Sequence, residues 1–245
     1  MKFVLVQIIL LCSFFSSAQA NIAISESNLA KEIILFEANS YRVVTEFNVY
    51  AMQKDSVSEK NLFDVLEKGD QLSSLFGEQS KELTSSWEKY RNFAWNKHSH
   101  DVGDTYVFND MRILHRDFLI NITEVKKQLD IELLPSRDLN KANAVLLIEQ
   151  LASEYLELSA ATFGTIGFAG SEQAIQIEVR SEAFEKTIAE LSKLYSNDPE
   201  KQKAIKKLSL RWRFIKSTLL AYNERSAPFA VSRTVGYIRE QLAEI

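Results

Sequence analysis

From Asn28 to Ala51 the apolar residues Ile33, Ile34, Phe36, Tyr41, Val44, Phe47 and Tyr50 recur mainly at steps of three and four. That spacing places them on one face of a long amphipathic helix. Ser56-Val57-Ser58-Glu59 has the form of a capping box, with Ser56 as cap, so a second helix is predicted from about Val57. Its buried side reads Leu62, Val65, Leu66, Leu72 and Leu75, and Gly77 ends it. A third helix is predicted from about Gln79 on Leu83, Trp87, Tyr90 and Ala94, and a fourth on Met111, Leu114, Phe118 and Ile122, after a loop over residues 98–104. Pro135 and Ser136 interrupt the pattern, which resumes with Val145, Ile148, Ala152, Tyr155 and Leu158. Gly164, Gly167 and Gly170 mark a connection, and Ser171 caps a helix carrying Ile177, Phe184, Ile188, Leu191 and Tyr195. Asp198-Pro199 is a helix start, with Asp198 as cap and proline where its missing amide costs nothing. After Ser226-Ala227-Pro228 a last helix runs through Val231, Val235, Ile238 and Leu242. The expectation is an all-α chain of eight helices.

The order of those helices repeats. Asn28-Leu29-Ala30 matches Asn140-Lys141-Ala142 at an offset of 112, and Glu37 then matches Glu149. Leu72, Leu75 and Phe76 match Leu191, Leu194 and Tyr195 at 119, and Leu83 and Trp87 match Leu208 and Trp212 at 125. The offset grows only where a helical repeat tolerates extra residues, in the glycine stretch and around Asn197-Asp198-Pro199. The pattern predicts two tandem antiparallel four-helix bundles related by internal duplication, over residues 21–132 and 137–245.

The first 20 residues read differently. Lys2 precedes an apolar run from Phe3 to Phe15, and Ala18-Gln19-Ala20 supplies an A-x-A site, which predicts a cleaved secretory signal peptide and a periplasmic product. The run is shorter than the roughly 20 residues a spanning helix needs, so no membrane insertion is expected after cleavage. Cys12, the only cysteine, falls inside that segment, so disulfides, thiolate metal sites and a cysteine nucleophile are not expected in the mature chain. Of 29 basic residues only Lys2 is removed, leaving 28 against 33 acidic and a charge of −5, which offers no footprint for nucleic acid. Seven glycines and three prolines in 245 residues suit long uninterrupted helices.

Leu139-Asn140-Lys141-Ala142, then Leu147-Ile148-Glu149-Gln150 and the run from Phe184 to Trp212, give each unit a recognisable outline. It resembles the N-terminal domain of type IV pilus methyl-accepting chemotaxis transducers, which is related to the periplasmic domain of nitrate-sensing histidine kinases. That family opens on a helix reading approximately I-N-x-A-G-R-Q-R-M-L-S-Q-R. The resemblance covers nearly all of the second unit and most of the first. It implies a sensor-like four-helix scaffold, and it marks Asn28, Asn140 and Gln150 as ligand-binding positions. Where the family carries arginines this chain has Ala144 and Leu146, and Glu32 and Ile34 in the first unit. Neither an alkyl group nor a carboxylate replaces a guanidinium fork on a planar oxyanion, so nitrate binding of the family type is not expected.

His98-Ser99-His100-Asp101 is the one constellation with metal-ligand chemistry, and only His115 could complete it, whereas a structural zinc site needs about four ligands. Trp87, Trp95 and Trp212, with Tyr90 and Phe93, suit core packing or an aromatic pocket. Arg211-Trp212-Arg213 with Lys206 and Lys207 suits a solvated helix face or an anion site. A serine triad has no histidine outside residues 98–115, and Gly164-x-x-Gly167-x-x-Gly170 lacks the strand and lysine of a phosphate loop. The expectation is a non-enzymatic, sensor-like periplasmic module without cofactor, partnered by a small ligand, a membrane-spanning signalling or envelope protein, or a second copy of itself. An accessory protein of an envelope assembly and a metal-handling protein are the alternatives.

Overall fold

The computed structural model describes the backbone of residues 2–99, 104–163, 171–222 and 226–245, and the side chains of residues 28–99, 104–160, 176–222 and 226–245. The side chains of residues 1–27, over which a signal peptide is predicted, and of Ser171, together with His100, Asp101 and the three clustered glycines, lie outside the described residues. The chain is all-α, and no strand occurs among the described residues. In chain order the helices are α1 (Lys2–Gln53), α2 (Ser56–Ser74), α3 (Lys81–Lys97), α4 (Thr105–Gln128), α5 (Ser136–Phe163), α6 (Ser171–Leu194), α7 (Pro199–Leu220) and α8 (Pro228–Glu244). A 3-10 turn, Ile131–Leu133, joins α4 to α5. No helix among the described residues is long and apolar enough to cross a membrane.

Short polar side chains begin α2, α3, α4 and α7 by accepting the orphan amides of the first turn. Asp198 accepts from Lys201 N at 3.1 Å with Pro199 behind it, as the sequence predicts, and Ser80 accepts from Leu83 N. The start of α2 is a correction: the cap is Asp55, not Ser56, because its carboxylate reaches Ser58 N at 2.7 Å while Ser58 Oγ donates back to it. Lys54, at φ 50°, takes the left-handed conformation that turns the chain from α1 into that cap. Leu75 is a second correction. It falls in the turn after α2 and is exposed, and Phe76 is buried in its stead.

Two separate cores follow the helix order. Ile33, Phe36 and Phe47 of α1, Leu62 and Leu66 of α2, Leu83, Trp87 and Tyr90 of α3 and Phe118 and Ile122 of α4 form the first. Ile148, Leu151 and Tyr155 of α5, Ile177 and Phe184 of α6, Leu208 and Trp212 of α7 and Val235 and Ile238 of α8 form the second. In each half the first helix packs closely on the second and the third on the fourth, while the second and third helices touch least. The largest contact between halves is α1 against α5.

The first core is centred on aromatic rings. Phe36 meets Phe118 at 4.9 Å and Trp87 at 5.2 Å, both edge to face, and stacks on Phe76 at 6.2 Å. Such pairs add about 0.5–1.5 kcal/mol each beyond burial. Gly69 lets the Trp87 ring lie against α2, for a Cβ there would stand 2.0 Å from Trp87 Cζ2. Gly69→Ala should therefore destabilise, because overpacking costs about 1–3 kcal/mol and alanine's helix propensity returns only about 1. Chemical denaturation should show a net loss of up to about 2 kcal/mol; a gain would mean that the ring has room to move.

Candidate functional site

The face where α1 meets α5 carries a polar stripe beside apolar contacts, with Val49 of α1 in the second core and Ala142 of α5 in the first. On α1, Glu37 and Tyr41, and Arg42 and Glu46, fall one turn apart, and on α5 Glu149, Gln150, Ser153, Glu154 and Glu157 form the facing stripe. Burial and then the neighbouring Lys31 lower the Lys141 pKa, and Tyr41 shares a side-chain hydrogen bond with Gln150, so the two helices run parallel and side by side. Arg239 Nε of α8 donates to Glu149 Oε1 at 2.5 Å, and Arg42 Nε lies 3.6 Å from Glu46 Oε1. Arg180 of α6 pairs with Glu154. Lys126 of α4 donates to Glu37 at 2.6 Å, the counterpart in the first half of the Arg239–Glu149 pair. Glu46 and Glu149 are almost fully buried, and Arg42 Nε, Glu46 Oε2, Glu149 Oε2 and Glu154 Oε2 have no hydrogen-bond partner among the described residues. Burial accordingly lowers the pKa of Arg42 and raises that of Glu46, each partly offset by the opposite charges beside it.

A second buried group adjoins it. His115 is fully enclosed, with Nε2 3.0 Å from Ser40 Oγ and its ring between Tyr41 and Tyr90. Tyr90 Oη donates to Ser40 O at 2.8 Å. Desolvation pushes the His115 pKa down to about 3, so it is a neutral core histidine. Glu157 lies within electrostatic reach of Tyr41, Tyr90 and Arg112, and burial raises its pKa to about 7, with Arg112 opposing. Sequence reading missed these charges because they sit at helical spacing among apolar residues. The available signal was Arg42, Glu46, Glu149 and Glu154 falling within otherwise buried stretches.

The residues singled out in the sequence do not converge. Asn28 is exposed on α1, Asn140 is half-buried on α5, and Gln150 lies in the seam against Tyr41. Asn140 and Gln150 are about 15 Å apart along their helix axis. Of the positions where the family carries arginines, Ile34 and Ala144 are core residues. His98 closes α3: its ring stacks on Trp95 at 4.6 Å, Nδ1 bonds Trp95 O, and Nε2 is 3.4 Å from Glu59. His115, the only further imidazole for that loop, is committed to Ser40 instead. Among the described residues no group of three or more His, Cys, Asp or Glu side chains is gathered as for a metal ion.

Open space lies where the second and third helices of each half diverge. A groove of about 610 Å³ between α6 and α7 is lined by Ile188, Ala189, Lys206, Leu210, Trp212 and Arg213, among others. A groove of about 440 Å³ between α2 and α3 is lined by Asp70, Ser73, Thr84, Ser85, Trp87 and Glu88, among others. At the offset of 125, Thr84 aligns with Ser209, Ser85 with Leu210, Trp87 with Trp212 and Glu88 with Arg213, and all eight residues line the two grooves. The floors match as well. Trp87 Nε1 donates to Asp70 at 2.8 Å and Arg91 Nε to the same carboxylate at 3.3 Å, while Trp212 Nε1 donates to Glu185 at 3.0 Å and Lys216 Nζ at 2.8 Å. An indole held by a carboxylate that a cation one turn on also holds thus occurs in both halves. Compared with protein-family models, curated proteins and solved structures, the chain matches none.

Proposed function

We propose that this chain is an exported, periplasmic, non-catalytic module, built from a duplicated four-helix unit, that acts by binding through the grooves between the second and third helices of its units. The observation that carries the reading is the recurrence of the tryptophan–carboxylate–cation floor under an open groove in each half. Clefts between helices are where bundle proteins place ligands, and a floor fixed by hydrogen bonds holds its shape without an occupant. The family resemblance supports a sensor-like role. The charged seam supports it further, since two units joined in part by buried charges can adjust their packing when a groove is filled.

A thermal-unfolding panel of small anions, amino acids and divalent metals tests the ligand arm. A ligand present at a hundred times its dissociation constant should stabilise the fold by about 2.7 kcal/mol. Its shift should vanish in Arg213→Glu or Glu88→Lys, according to the groove used. A shift with zinc lost only in His98→Ala would instead support metal handling. Silence across the panel would remove the small-ligand arm and leave a protein partner as the occupant.

A further inference from the structure

We infer that the α6–α7 groove is a docking site for an acidic amphipathic helix of a partner protein, an assignment that rests on the binding role proposed above and names its occupant. The two grooves differ at matched positions. Ser85 and Glu88 line the first, while Leu210 and Arg213 line the second, and outside the lining the exposed Lys89 is matched by Phe214. Within the lining, a polar residue becomes apolar and an anion becomes a cation, and beside it a lysine gives way to an exposed aromatic. Leu210 and Phe214 are left 58% and 68% exposed one turn apart on α7. A solvated helix has no folding reason to present bulky apolar groups there, and its counterpart α3 does not.

The charge around that patch selects the partner. Lys206 and Arg213 of α7 line the groove and are exposed, and Lys203 of α7 and Lys193 of α6 add exposed cations on the same two helices. The one acid that lines the groove, Glu185, is already engaged by Trp212 and Lys216. Apolar lining from Ile188, Ala189, Ile205 and Leu210 runs between these cations. A helix laid in such a groove presents leucine-like anchors at i, i+3 or i+4 and i+7 to the apolar strip, and carboxylates beside them to the lysines and arginine.

A displayed library of helical peptides about 14 residues long, four turns, tests this on the full chain. The library fixes apolar anchors at i, i+4 and i+7 and randomises the flanks. Selection on the wild type should enrich Asp and Glu at the flanks. Enriched peptides should bind Leu210→Ser/Arg213→Glu at least roughly tenfold more weakly, as loss of a central anchor and its charge partner implies. The reciprocal Ser85→Leu/Glu88→Arg variant should acquire a second site for the same peptides. Both variants alter surface positions, and unchanged melting temperatures would show intact folds. No enrichment, neutral or basic flanks, or binding indifferent to the Leu210/Arg213 exchange would overturn the assignment. Sedimentation showing self-association that Leu210→Ser/Arg213→Glu abolishes would also overturn it, by making a second copy the occupant. The thermal panel reports independently, so loss of this docking site and loss of the wider binding role are separable.

Discussion

Arg239→Ala is expected to lower the stability of the fold by about 3–5 kcal/mol, the cost of breaking a buried ion pair by removing one partner. Glu149 is almost wholly buried on α5, and Arg239 from α8 is its hydrogen-bond partner, leaving Oε2 already without one among the described residues. Truncating the arginine strands a carboxylate that Arg42 reaches only through space. The double variant Glu149→Leu/Arg239→Met tests the cause rather than the size. Replacing both charges by apolar groups of similar volume is often neutral or stabilising, by about 1–4 kcal/mol in other buried pairs. Urea unfolding should therefore rank Arg239→Ala well below wild type and the double variant near it or above. Equal destabilisation by both would show that shape, not charge, is what the pair contributes.

That pair also shows where sequence reading succeeds and fails. Periodicity marks Ile33, Phe36, Phe47, Trp87, Phe118, Ile148 and Phe184 as core because burial of large apolar groups is nearly independent of what lies opposite them. All seven are buried, and eight helices form in the order that the pattern predicts. The starts of α2, α3, α4, α7 and α8 are legible to within a residue or two, because caps such as Asp198 act locally, whereas α1 begins at Lys2, well before the Asn28 at which its pattern is read. Asp55 displaces Ser56 because two caps one residue apart differ only in which side chain reaches a free first-turn amide. The seam is a different matter. Whether Glu149 points to solvent or to Arg239, 90 residues away, depends on a packing arrangement that no local window contains. The matched grooves were half legible: the Trp87–Trp212 register is in the sequence, but that Ser85 and Leu210 face the same kind of opening required the helices to be placed.

Glu157 gives the seam a second measurable signature, a dependence on pH. Its pKa is about 7 in the fold against 4.5 for a free carboxyl, raised by burial where α5 meets the first unit and opposed by Arg112, with the neutral Tyr41 and Tyr90 phenols nearby. Below pH 4.5 the group is protonated folded and unfolded, and costs nothing. Between 4.5 and 7 only the folded state holds the proton, so stability falls as pH rises, and above 7 the full penalty remains. A shift of this size corresponds to about 2–3 kcal/mol once partial exposure is discounted. His115 works in the opposite sense, since its folded pKa of about 3 against 6.5 makes stability fall as pH drops through that interval. The two overlap between 4.5 and 6.5 and mask each other in the wild type. Glu157→Gln isolates the carboxyl: unfolding free energies of variant and wild type should coincide near pH 4 and separate through pH 4.5–7. Above pH 7 the variant should stay more stable by about 2–3 kcal/mol. Parallel curves across that range would mean that Glu157 is hydrated and ionises normally, and that the seam between α1 and α5 carries no proton near neutrality.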